Sequence, residues 1–179
     1  DVTSQILNIR KAQPDYLLWH GFLPGMPVST VFLKTVKQYL PKVPVLGTHY
    51  QTVMGMITAG GESADGLIGV NTSVQWHETD NPFVKLVIDQ AKKRGRDIPV
   101  GEQSNYIGGW MLALIGAHAV DVGVASGDLT REGIKKALEK ATWDFDGMYG
   151  GATFSYASHK VPMARIFKAS HAQQRWNAI

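Results

Sequence analysis

Two short clusters near the amino end hold most of the chemistry this chain could do: Trp19-His20-Gly21-Phe22-Leu23-Pro24 and Gly47-Thr48-His49-Tyr50. An imidazole donates or accepts a hydrogen bond, and an indole or phenol offers apolar area with a polar tip. Trp19, His20, Phe22, His49 and Tyr50 therefore suit the holding of a small organic molecule. His49 beside Tyr50 could also work as a general acid or base, which leaves a flavodoxin-like α/β enzyme as a rival reading. Trp19 reads equally as strand core or as a ligand wall, and His20 reads first as a hydrogen-bonded turn residue.

Other chemistries find little support. The chain has no cysteine, so disulfides and thiolate reactions are excluded. His20, His49, His77, His118, His159 and His171 lack the paired spacing of a metal site. No phosphate-cradling glycine loop, nucleophile elbow or His-Glu-x-x-His helix occurs, so no catalytic residue, metal or cofactor is assigned.

The net charge is +3, and its one dense basic run is Lys92-Lys93-Arg94-Gly95-Arg96. That run falls at an expected helix C-terminus, where cations complement the helix dipole, so it reads as a solvated face and not as a nucleic-acid footprint. The expectation is a globular protein with no nucleic-acid partner. The amino end lacks the basic-then-apolar pattern of a signal peptide, and no stretch is expected to approach the ~20 apolar residues that span a bilayer.

The clusters need elements to position them. Thr3 or Ser4 is placed to cap a helix carrying Ile6, Leu7 and Ile9, which Pro14-Asp15 ends before an apolar strand over Tyr16 to Trp19, expected to be covered on both faces. Pro27 opens a second helix with Val28, Val31, Phe32 and Val36 on one side, and Val43 to Leu46 forms the second strand. Each cluster thus follows a strand. In a parallel α/β sheet both fall outside the carboxyl edge, where such sheets hold ligands.

Further along, a short helix over Thr52 to Ala59 and a turn-rich connector lead to a third strand, Gly66 to Asn71. Asn81-Pro82 is an N-cap and N1 pair for a helix closing at Arg94-Gly95. Apolar residues from Ser104 to Val124 recur at helical spacing and predict a long, deeply buried helix. Thr130 caps another, with Gly133 where a capping-box acid would stand. A glycine-rich turn over 145–154 precedes a strand at Ala164 to Ala169, and the tail from Ser170 reads as a hairpin return or a frayed end.

The order of Pro14-Asp15-Tyr16-Leu17, Gly21-Phe22-Leu23-Pro24, Asn105-Tyr106-Ile107-Gly108-Gly109-Trp110, Thr130-Arg131-Glu132 and Phe145-Asp146-Gly147-Met148-Tyr149-Gly150 resembles the leucine-type periplasmic solute-binding proteins of ATP-binding-cassette uptake systems. The resemblance spans nearly the whole chain. It implies the type I periplasmic binding protein fold, an α/β architecture with a parallel sheet sandwiched by helices. It also implies a non-enzymatic, periplasmic or lipid-anchored receptor that closes on a solute and presents it to a membrane permease. A ligand-sensing domain of a receptor or regulator is the alternative on the same fold.

By that resemblance residues 1–100 belong to the C-terminal lobe, 101–144 to the N-terminal lobe, and 145–179 return to the first. The N-terminal lobe and the first strand and helix of the second would lie before Asp1. The long helix would then expose apolar surface, and the absent half is expected as another chain, or self-association in its place. Phe22 matches an aromatic ligand contact of the family. His49 stands where relatives that bind branched-chain amino acids carry a glutamate for the ligand ammonium, which makes an aromatic or aliphatic carboxylate as plausible a solute as leucine.

Overall fold

The computed structural model describes residues 2–21, 27–150, 152–155, 157, 158, 160, 161 and 163–179, and of Pro27, Phe145 and Phe154 the backbone alone. Phe22, Leu23, Pro24 and His159 lie outside the described residues. In chain order the first elements are α1 (Thr3–Lys11), β1 (Leu17–Trp19), α2 (Pro27–Tyr39), β2 (Val45–Gly47), α3 (Met54–Gly60), β3 (Ile68–Asn71) and α4 (Pro82–Lys93). They are followed by α5 (Gln103–Ser126), α6 (Arg131–Glu139), β4 (Thr142–Trp143), β5 (Phe154–Ser155), β6 (Arg165–Ser170) and β7 (Arg175–Ala178).

The described chain divides into two compact units. The first comprises residues 1–71, 99–104 and 165–179. It is built on a five-stranded sheet in the order β1-β2-β3-β6-β7. Strands β1, β2 and β3 run parallel, with Leu17 opposite Val45, Trp19 opposite Gly47 and Leu46 opposite Ile68. Strands β6 and β7 complete the sheet antiparallel, so the tail is a hairpin return, with Ala169 opposite Trp176.

Helices α1, α2 and α3 pack on this sheet through Ile6, Leu33, Val36, Met56 and Ile57, which meet Phe167 and Trp176 in one buried cluster. Each such side chain contributes about 1.5–3 kcal/mol by leaving water. Two local expectations need correction. The N-cap of α1 is Val2, which makes no side-chain cap, and Thr3 and Ser4 lie inside the helix. Strand β1 is not covered on both faces: it is an edge strand, and Leu18 is 72% exposed.

The second unit, residues 72–98 and 105–164, gathers Val74, Phe83, Val84, Val87, Ile107, Met148 and Tyr149 into its own core. Asn81 opens α4 as expected, its Oδ1 accepting from Phe83 N at 3.0 Å and Val84 N at 3.2 Å. Its Nδ2 donates to the Gly147 carbonyl at 3.0 Å, so one side chain both caps the helix and ties it to the loop before β5. Thr130 caps α6 through Gly133 N at 3.1 Å. An added Cβ at Gly133 would overlap the Asp128 carboxylate as it stands, which itself accepts from Thr130 N and Oγ1.

Helix α5 departs furthest from expectation, because only Ile107 and Gly123 are buried along it. Leu112, Val120 and Val124 are 73%, 54% and 61% exposed. The helix, with the turn before it, is also long and apolar enough to cross a membrane by length and composition, contrary to the sequence reading. Glycines, His118 and Asp121 interrupt the apolar run without lowering its average enough to matter.

Candidate functional site

The parallel pairing of β1 with β2 brings the two sequence clusters to one sheet edge. Trp19 ends β1 and Gly47 ends β2 as direct register partners, so His20 and Thr48 begin adjacent loops. Trp19 is half-buried, with its ring centroid 4.7 Å from that of Phe32 on α2, and it packs against the core of the first unit. His20, His49 and Tyr50 are exposed. Their rings form a row, with Tyr50 5.9 Å from His20 and 4.0 Å from His49 between centroids.

A buried amide holds this edge together. Gln51 is 1% exposed, and its Oε1 accepts from Thr48 N at 2.8 Å and from Thr48 Oγ1 at 2.9 Å. Its Nε2 donates to the carbonyl of Gly21, in the loop after β1. Across the same gap His20 Nδ1 lies 3.3 Å from Thr48 Oγ1. The turn after β2 is thereby fastened to the loop after β1 at two points.

Thr52, fully buried, extends the arrangement toward β3. Its Oγ1 donates to Thr48 O at 3.1 Å, and its carbonyl accepts from Asn71 Nδ2 at 3.3 Å. Two strand glycines make the room. A Cβ at Gly47 would sit 2.8 Å from Gln51 Cβ, and one at Gly69 would overlap Thr52 Oγ1.

Sequence reasoning did not single out Gln51 or Thr52. The available signal was the Thr48-His49-Tyr50-Gln51 spacing, which is that of a capping box, with the glutamine reaching back to the backbone N–H of the threonine. Its third bond, to Gly21, depends on the strand pairing and is invisible locally. No acidic residue lies between Leu17 and Pro24 or between Val45 and Val53, so the wall is built of imidazole, phenol and hydroxyl groups.

Trp76, Tyr106 and Trp110 pack against the core of the second unit, in keeping with a structural role. His118 stacks on Trp143 with centroids 3.4 Å apart, and burial first of all lowers its pKa, with Asp121 opposing. Among the described residues no three histidine or acidic side chains are grouped to hold a metal ion.

A family model described as periplasmic binding protein matches residues 1–171. The chain belongs to the periplasmic binding protein family. The fold accords with solved structures of that kind. With the branched chain amino acid ABC transporter from Thermus thermophilus with bound valine the TM-score is 0.81 at 22% identity, covering 100% of this chain and 48% of that one. With the fatty acid ABC transporter substrate-binding protein from Thermomonospora curvata it is 0.77 at 21% identity, covering 100% and 46%. With the R. palustris solute-binding protein in complex with benzoate it is 0.71 at 18% identity, again covering 100% and 46%.

These likenesses establish the fold, the type I periplasmic binding protein architecture of a parallel-containing sheet flanked by helices. This periplasmic binding protein chain spans about half the length of the solved structures it matches. No curated protein sequence matches it.

Proposed function

We propose that the chain is the solute-binding part of an extracytoplasmic receptor that closes on a small organic ligand and delivers it to an ATP-binding-cassette permease. The observation that carries this reading is the shared edge of β1 and β2, where His20, Thr48, His49 and Tyr50 are held side by side by Gln51. Parallel sheets bind ligands at that edge. Phe22, Trp19 and Tyr50 supply the apolar wall in this reading, and His20 and His49 its polar contacts.

The ligand class is an amino acid or an aromatic or aliphatic carboxylate. Structural neighbours hold valine and benzoate or are named for fatty acid, a range that fits a scaffold whose wall residues set the choice. In this reading residues 1–100 and 145–179 belong to one lobe and 101–144 to the other. The exposed apolar side chains of α5 then pack against the remainder of the receptor.

The test is a calorimetric titration of the two-lobed receptor, this chain together with its remainder, with leucine, benzoate and 4-methylpentanoate, with product analysis of each mixture. Saturable binding of one of them without chemical change is expected. Turnover of a ligand, or no saturable binding, would contradict the proposal.

A further inference from the structure

The hydrogen bonds behind β1 and β2 fix more than position, because every proton in them can be assigned. The Gly21 carbonyl can only accept and the Thr48 backbone N–H can only donate. Gln51 must therefore turn its NH2 to Gly21 and its carbonyl oxygen to Thr48. A flipped amide would set oxygen against oxygen and N–H against N–H.

With that orientation fixed, the Thr48 hydroxyl proton goes to the shorter of its two contacts, because turning it to His20 Nδ1 would leave two bare oxygens face to face at 2.9 Å. The hydroxyl therefore donates to Gln51 Oε1. Only lone pairs then remain on Thr48 Oγ1 for His20 Nδ1 at 3.3 Å. The imidazole must be the donor there. A neutral His20 consequently carries its proton on Nδ1 and a bare lone pair on Nε2, the opposite of the tautomer that predominates in free histidine.

We propose that Gln51 is a positioning residue which, through Thr48, holds His20 as the Nδ1–H tautomer, so that Nε2 serves as a hydrogen-bond acceptor for a donor group of the solute. This rests on the receptor reading above and narrows its ligand class. The wall carries no carboxylate, so this nitrogen does part of the work an acid would do. A solute with an ammonium, amide N–H or hydroxyl satisfies it. A simple carboxylate leaves it unsatisfied.

The chain labelled with nitrogen-15 in its histidines reports the tautomer directly, by long-range proton–nitrogen correlation at pH 8.5, above the ordinary histidine range. The expected result is a protonated Nδ1 and an unprotonated Nε2 for His20. In Thr48→Val, which keeps the side-chain shape and loses the hydroxyl, and in Gln51→Met, the pattern is expected to revert to Nε2–H. Thr48→Val alone gives the reading if Gln51→Met fails to fold. Nε2–H in the unaltered chain, or Nδ1–H retained in Thr48→Val, would overturn the proposal.

Leucine and 4-methylpentanoate, which share a carbon skeleton and differ by the ammonium, then test the specificity. Leucine is expected to shift the His20 Nε2 signal and 4-methylpentanoate to leave it in place. An equal or larger shift with 4-methylpentanoate would overturn the donor preference. Absence of binding by any solute to the two-lobed receptor, with the tautomer pattern intact, would instead refute the receptor reading.

Discussion

The side-chain amide of Gln51 donates to the backbone carbonyl of Gly21, joining the loop after β1 to the turn after β2 through a group almost wholly removed from solvent. A buried amide is tolerated only when its polar atoms are paired, and here both ends are. Removing it strands Gly21 O and Thr48 N together. Gln51→Ala is expected to lower stability by about 1–3 kcal/mol, read from urea denaturation. An unchanged denaturation midpoint would show that the two loops are held by other means.

A similar double role at Asn81 sets a second expectation. Asn81→Ala loses both the α4 cap and the bond to Gly147, at about 1–2 kcal/mol, whereas Asn81→Asp keeps the cap acceptor and gives up only the donor. Asp is therefore expected to fall between Asn and Ala in thermal midpoint. Equal losses for the two variants would mean that the Gly147 bond carries the whole effect.

His118 links stability to pH. Burial beside Trp143 disfavours its charged form, so the folded state binds a proton less readily than the unfolded chain. Its contribution is intact above the ordinary histidine range and is lost as pH falls through that range toward the lowered folded value. Thermal midpoints across pH 8 to 5 are expected to decline less for His118→Gln than for the unaltered chain. Parallel curves would remove His118 from the account.

The uncovered side of α5 predicts association. A helix of this length with Leu112, Val120 and Val124 in solvent leaves apolar area that favours contact with another chain. Native mass spectrometry is expected to find the chain above its 19.6 kDa monomer mass, and the Leu112→Lys, Val120→Lys, Val124→Lys triple variant at that mass. A stable monomer of the unaltered chain would contradict the expectation.

Local rules carried much of the fold. Asn81-Pro82 and Thr130 are caps whose partners lie within three residues, and the strand-helix alternation up to β3 is short-range patterning. Burial did not follow from pattern alone. The apolar spacing of α5 marks a helix built to be covered, but what covers it is not in its own sequence. Leu18 shows the same limit, since an edge strand and a central one share a composition until the strand order is known. At the site, His20, His49 and Tyr50 could be chosen by type and place after a strand. Gln51 could not, because its meaning comes from Gly21, thirty residues earlier in the chain.

The central claim, that the loops after β1 and β2 form one wall of a solute site, is tested most directly by mapping ligand-induced shifts of backbone amides while leucine, benzoate and 4-methylpentanoate are titrated in turn. The account predicts that at least one of them produces saturable changes concentrated at His20, Gly21, Thr48, His49 and Tyr50. Saturable changes that spare both loops and gather elsewhere, on α1 or α6 for example, would contradict it.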